Sequence, residues 1–122
     1  MAATYPFVNR LNNKIAGISS DPTPIFNSLK VCRIDSIRCT NTTKYDISVT
    51  ITVLDEVDGN PRYCQFSYQE FIGPYKTLDM LEGARGRLAY PLPGETFLAS
   101  TDSPIKTFDC IVYYLEYLLP NQ

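Results

Sequence analysis

The sequence predicts an all-β fold: an antiparallel β-sandwich, immunoglobulin-like or jelly-roll-like, of about seven strands with an extended N-terminal arm. Three observations carry this expectation. First, the β-branched residues Ile47, Val49, Ile51 and Val53 alternate with Ser48, Thr50 and Thr52. A pleated strand sends successive side chains to opposite faces, so this spacing builds one apolar and one polar face. Second, turn-forming clusters recur at short intervals, at Asp58-Gly59, Gly73-Pro74, Pro91-Leu92-Pro93-Gly94 and Asp102-Ser103-Pro104, dividing the chain into strand-length pieces. Third, no stretch long enough for a stable helix combines a 3.6-residue apolar period with capping residues. With 122 residues, 44% of them hydrophobic and 20% charged, the chain suffices for one domain with one core.

Residues 1–28 read as the arm and residues 29–122 as the sandwich. The first segment carries Pro6, Pro22, Pro24, Gly17 and four Asn, and its apolar residues keep neither a period of 2 nor one of 3.6. These apolar groups include Tyr5, Phe7, Val8, Ile25 and Phe26. They are too many for a solvated tail, so the arm is expected to dock on a neighbour; the competing expectation is that it packs on its own sandwich. A first strand over 30–40 changes phase midway, with Cys32 and Ile34 on one parity and Ile37 and Cys39 on the other. One extra residue at Asp35-Ser36, a β-bulge, realigns them. After the polar turn Asn41–Lys44 comes the alternating strand over 46–54, closed by Asp58-Gly59, a good hairpin pair. Strands are expected over 62–72, 77–81, 86–90, 96–100 and 107–119, with at most one helical turn, around 78–83. The last strand is apolar on both faces, with Phe108, Cys110, Val112, Tyr114 and Leu118 on one side and Ile111, Tyr113, Leu115 and Tyr117 on the other. A half-exposed antiparallel strand shows one polar face. This one therefore lies centrally under the arm, or offers Tyr113 and Tyr117 to a subunit interface.

The composition excludes much chemistry. There is no His, so no Ser–His or Cys–His pair, imidazole metal ligand or histidine pH switch exists. Eleven basic against 13 acidic residues give a net charge of −2, without the basic signature of a nucleic-acid binder. The longest apolar run, 110–119, contains Glu116 and is about half a membrane span, so no membrane partner is expected. Residues 1–7 lack the basic start and apolar run of a secretory signal, which predicts a product that stays where it is made. Cys32, Cys39, Cys64 and Cys110 form no C-x-x-C pair and are expected as reduced core thiols, without a metal. The loop holding Asp55, Glu56 and Asp58 fails the EF-hand spacing and reads as a polar hairpin. Arg85 and Arg87 occupy a turn that matches no phosphate-binding loop; they are solvated or contact a carboxylate on a partner. No enzyme, cofactor or metal is expected. The candidate partner-binding residues are Tyr5, Phe7, Val8, Ile25, Phe26, Arg85, Arg87, Tyr113 and Tyr117.

The order of several motifs is similar to that in small β-sandwich virion proteins of tailed bacteriophages. It runs from Val31-Cys32-Arg33-Ile34-Asp35-Ser36-Ile37 into Asn41-Thr42-Thr43, then through the alternating strand to Ile72-Gly73-Pro74 and Thr77-Leu78. It ends with Pro93-Gly94-Glu95-Thr96-Phe97, Ala99-Ser100 and Ile111-Val112-Tyr113-Tyr114-Leu115-Glu116. The resemblance covers about residues 30–117; the 83–87 insertion and the aromatic-rich 63–71 segment depart from it. It implies a structural role, as capsid decoration or cement or at the neck or tail, with no catalytic residues to transfer. Its implied partners are other virion proteins in a homo-oligomer or symmetric array, and its implied location is the virion after synthesis in the host cytoplasm. A receptor- or carbohydrate-binding module fits the same fold class; the absence of Trp weighs against it.

Overall fold

The alternation from Ile47 to Val53 becomes the spine of one of two sheets. The computed structural model describes residues 7–81, 91 and 93–118. Eight strands run through them: β1 (Phe7–Ile18), β2 (Thr23–Asn27), β3 (Cys32–Asn41), β4 (Ile47–Val57), β5 (Asn60–Ile72), β6 (Thr77–Asp79), β7 (Thr96–Thr101) and β8 (Phe108–Leu118). They form two four-stranded sheets, ordered β1-β8-β3-β6 and β2-β7-β4-β5, with antiparallel pairing throughout. No helix occurs among the described residues. The expected all-β sandwich is what the chain forms.

The core lies between the sheets. Ile47, Val49 and Ile51 from β4 are at most 1% exposed; Ile34, Ile37 and Cys39 from β3, and Phe108, Cys110 and Val112 from β8, meet them from the other side. Each such burial is worth about 1.5–3 kcal/mol. The phase change in β3 is the expected bulge: Ile34 pairs with Tyr114 and Ser36 with Tyr113, leaving Asp35 as the extra residue. The bulge keeps both Ile34 and Ile37 facing the core. The β4–β5 hairpin closes on Asp58 (φ 52°) and Gly59 (φ 81°), the pair of left-handed residues that a two-residue I′ turn requires. β5 is less regular. Its register against β4 slips between Val49 and Ile51 and again between Ile51 and Thr52.

The N-terminal segment corrects the expectation of an arm. The bend at residues 20–21 divides it into two strands, one for each sheet, and the left-handed Gly17 (φ 69°) sits where the register of β1 against its partner shifts between Ile15 and Ile18. β1 pairs along β8 from Phe7↔Leu118 to Ile18↔Phe108, and β2 pairs with β7. Ile25 and Phe26, expected to reach a neighbour, are 2% and 4% exposed in this chain's own core. The Phe26 ring meets Tyr114 edge-on at 4.7 Å and Phe97 at 6.3 Å. A boundary at residue 28 therefore divides nothing: β1 and β2 are edge strands of the sandwich that follows. The alternation is hard to see in β1 because Asn13 occupies an inward position, with its side-chain amide donating to the Ile25 carbonyl at 3.4 Å.

Other expectations resolve case by case. β8 is central, as its two apolar faces suggest, but β1 flanks its edge and does not cover its outer face. All four cysteines are free; Cys64 is exposed on β5 and is not a core thiol, unlike the other three. The expected helical turn begins as β6 and a turn at Met80–Leu81; its remainder and the strand expected over 86–90 lie outside the described residues.

Candidate functional site

Cross-strand partners share a face of a sheet, so the register defines the outer surface of β1-β8-β3. Its centre is a stripe from β8: Ile111, Tyr113, Leu115 and Tyr117. Ile111 lies between Lys14 of β1 and Arg38 of β3, Tyr113 between Asn12 and Ser36, and Leu115 between Arg10 and Arg33. Tyr113 is 36% exposed, whereas Leu115, flanked by two arginine stems, is 8% exposed. An apolar stripe bordered by cations on both sides thus occupies a face that an antiparallel sheet ordinarily gives to solvent.

The cations differ in their engagement. Arg33 is tied to Asp35, Nε to Oδ1 at 2.6 Å and Nη2 to Oδ2 at 3.4 Å. Arg38 has Asp79 as its cross-strand neighbour, but the oxygens of that carboxylate accept from Ser36 Oγ (2.8 Å), Ile37 N (3.2 Å) and Leu81 N (3.0 Å). The Arg38 guanidinium instead lies 5.5 Å from the Tyr113 ring centroid, a cation–π arrangement. Arg10, Lys14 and Arg38 make no ion pair among the described residues. They remain available to carboxylates from outside.

A second surface lies at the end of the sandwich where the 42–46 and 73–76 loops meet. Asn41, fully buried, organises it. Its Nδ2 donates to the carbonyls of Tyr45 (2.6 Å), Ile72 (3.1 Å) and Gly73 (3.1 Å), and its Oδ1 accepts from Thr43 N (2.9 Å) and Oγ1 (2.8 Å). These bonds fix two loops that carry Tyr45 and Tyr75, which are 53% and 69% exposed. Tyr75 has φ 56°, a left-handed conformation unusual for an aromatic residue and closed by Lys76 N donating to Gly73 O at 3.2 Å.

A third feature is a hollow of about 530 Å³ lined by Leu54, Asp55, Glu56 and Pro61 of the β4–β5 hairpin and by Pro93–Thr96. Arg62 Nε and Nη2 grip both oxygens of Asp55, at 3.0 and 2.6 Å, and hold its carboxyl below the usual carboxylate range. Among the described residues no group of three or more His, Cys, Asp or Glu can hold a metal ion.

The structure thus brings Tyr113 and Tyr117 together on one face and sends Ile25 and Phe26 to the core, which removes the latter two as partner contacts. Phe7 and Val8 are strand residues of β1, with Val8 opposite Tyr117. Tyr5, Arg85 and Arg87 lie outside the described residues. Sequence reasoning missed Arg10, Lys14 and Arg38. The signal was present, since Arg10, Asn12 and Lys14 keep a period of 2, but it has meaning only once this segment is a strand.

No family model matches the chain, and no curated protein does. Among solved structures the chain is similar to one described as "Crystal structure of PirA", at 12% identity, covering 93% of this chain and 96% of that chain with a TM-score of 0.38.

Proposed function

We infer that this chain is a non-enzymatic structural component of a bacteriophage virion that holds neighbouring particle proteins through the outer face of its β1-β8-β3 sheet. The observation that carries the reading is that face: an apolar stripe of Ile111, Tyr113, Leu115 and Tyr117 edged by Arg10, Lys14 and Arg38. Tyr and Arg are enriched where protein surfaces meet. Cations without a carboxylate partner among the described residues favour an acidic surface opposite them, which sets register and speeds encounter. The motif order over residues 30–117 supports the virion setting. The sheet face, and not an N-terminal arm, carries the attachment, because β1 and β2 are paired within the fold.

The test is association with particles. Wild-type chain supplied during assembly is expected to sediment with purified particles, and Lys14→Glu/Tyr113→Ala, with both changes at exposed positions, is expected to remain in the supernatant. A double variant that sediments as well as wild type overturns the reading. A second reading, a receptor- or carbohydrate-binding module, is favoured by the aromatic loop end that Asn41 holds. It predicts that Tyr45→Ala/Tyr75→Ala abolishes binding to host cells or glycans and leaves particle association intact.

A further inference from the structure

We propose that Cys39 and Cys110 are a built-in disulfide site, and that they join β3 to β8 through the core when the chain folds in the presence of a small-molecule disulfide. The two are directly opposed partners on neighbouring antiparallel strands. In such a pair the Cα atoms stand about 4.5–5.5 Å apart, inside the range that a disulfide spans. Both side chains face the core, at 0% and 1% exposure, and their sulfurs lie 3.9 Å apart. Rotation about the two Cα–Cβ bonds, with an approach of the strands by up to about 1 Å, takes the Cβ atoms from the roughly 4.5–5.5 Å usual of opposed residues to the roughly 3.5–4.5 Å of a disulfide and brings the sulfurs to bonding distance.

The pairing is selective. Cys32 stands opposite Glu116 and Cys39 opposite Cys110 on the same two strands, so Cys32 lies roughly 20 Å along the sheet from Cys110 at about 3.3 Å per residue. Cys64 stands opposite Val53 in the other sheet and is exposed.

The reaction is thiol–disulfide exchange with oxidised glutathione as the oxidant. One cysteine thiolate attacks a glutathione sulfur, breaking the glutathione S–S bond, forming a mixed disulfide and releasing one glutathione thiolate. The second cysteine thiolate then attacks the protein sulfur of that mixed disulfide, closing the Cys39–Cys110 bond and releasing the second glutathione thiolate. Two protein thiols are oxidised, one glutathione disulfide is reduced to two thiols, and the two cysteine protons go to the products. The finished sheet shields both sulfurs, and the neighbouring thiol together with burial pushes the Cys39 thiol well above its ordinary value. Exchange therefore belongs to folding or to opening of β8, not to the closed native state.

The experiment refolds the full chain from denaturant in a reduced/oxidised glutathione buffer, blocks remaining thiols by alkylation under denaturing conditions, and maps non-reduced peptides by mass spectrometry. The expected product has Cys39 and Cys110 peptides linked, a mass about 2 Da lower before alkylation, and Cys32 and Cys64 alkylated. Its melting temperature is expected to exceed that of the reduced chain by about 10 °C, because the link closes a loop of 71 residues' separation. Cys110→Ala is expected to lose that redox-dependent difference. Four alkylated cysteines after oxidative refolding, or a link that includes Cys32 or Cys64, overturns the proposal on the wild-type chain alone.

Discussion

Removing residues 2–27 distinguishes an arm from a pair of strands. The truncation takes away β1 and β2, and with them the core residues Ile18, Ile25 and Phe26, each at most 4% exposed. Three such burials at about 1.5–3 kcal/mol come to roughly 5–9 kcal/mol, of the order of the whole stability of a small domain. The loss also strips β8 of its pairing with β1 and β7 of its pairing with β2, leaving two long strand edges unpaired. The truncated chain is therefore expected to lack a cooperative thermal transition by circular dichroism. A graded version of the same argument uses Phe26→Ala. Its ring sits between Tyr114 and Phe97, and such a core truncation costs about 3–5 kcal/mol. With an unfolding entropy of about 2.1 cal/mol/K per residue, each kcal/mol moves the midpoint of a chain this size by about 4 °C, so Phe26→Ala is expected to melt about 12–20 °C below wild type. A truncated chain that melts cooperatively within 5 °C or so of the full one refutes the reasoning, because residues 2–27 would then lie outside the cooperative unit.

Other outcomes follow from the same geometry. Ile51→Asp places a carboxylate at a 0% exposed position between the sheets and is expected to abolish folding, read as loss of the β-sheet circular dichroism signal. Asn41→Ala leaves the Tyr45, Ile72 and Gly73 carbonyls without their shared donor and is expected to cost about 2–4 kcal/mol in urea unfolding, whereas Thr40→Ala beside it, on the partly exposed face, is expected to cost under 1 kcal/mol or so. Cys32 and Tyr114, through burial, and Cys39, chiefly through the neighbouring thiol, hold their protons above the ordinary values of 9.0 for a thiol and 10.0 for a phenol. Their stabilisation is complete below those ordinary values. It declines as pH rises toward the raised folded values, because the unfolded chain releases protons that the folded chain keeps. Urea midpoints are therefore expected to be flat between pH 7 and about 8.5 and to fall above pH 9 or so; a midpoint that rises through that range contradicts the assignment.

The parts of the fold legible in the sequence are those where a local pattern has one structural solution. The strict alternation at 47–53 admits only a strand with Ile47, Val49 and Ile51 inward, and the phase change at Asp35-Ser36 admits only a bulge, since either apolar pair would otherwise face out. Asp58-Gly59 announces its hairpin because both residues tolerate positive φ. The N-terminal strands were illegible for a physical reason. An edge strand needs fewer inward apolar residues, and β1 places Asn13 among them because the Ile25 carbonyl accepts its amide. Pro24, read as a mark of irregular chain, sits in β2, an edge strand where a missing N–H is tolerated. Site legibility followed fold legibility. Tyr113 and Tyr117 were visible because β8 has two apolar faces, whereas Arg10, Lys14 and Arg38 became a border for them only through long-range register. Asn41 lies in a segment that reads as a polar turn, and its role depends on carbonyls 31 and 32 residues away.

The measurement that bears most directly on the central claim is the amount of this chain in purified particles, compared among wild type, Lys14→Glu/Tyr113→Ala and Tyr45→Ala/Tyr75→Ala. The sheet-face account predicts a fixed ratio of the chain to the major particle protein for wild type and for the loop-end variant, and loss of the chain from particles for the sheet-face variant, with all three melting within a few degrees of one another. Equal incorporation of the sheet-face variant, or absence of the wild-type chain from particles, contradicts it.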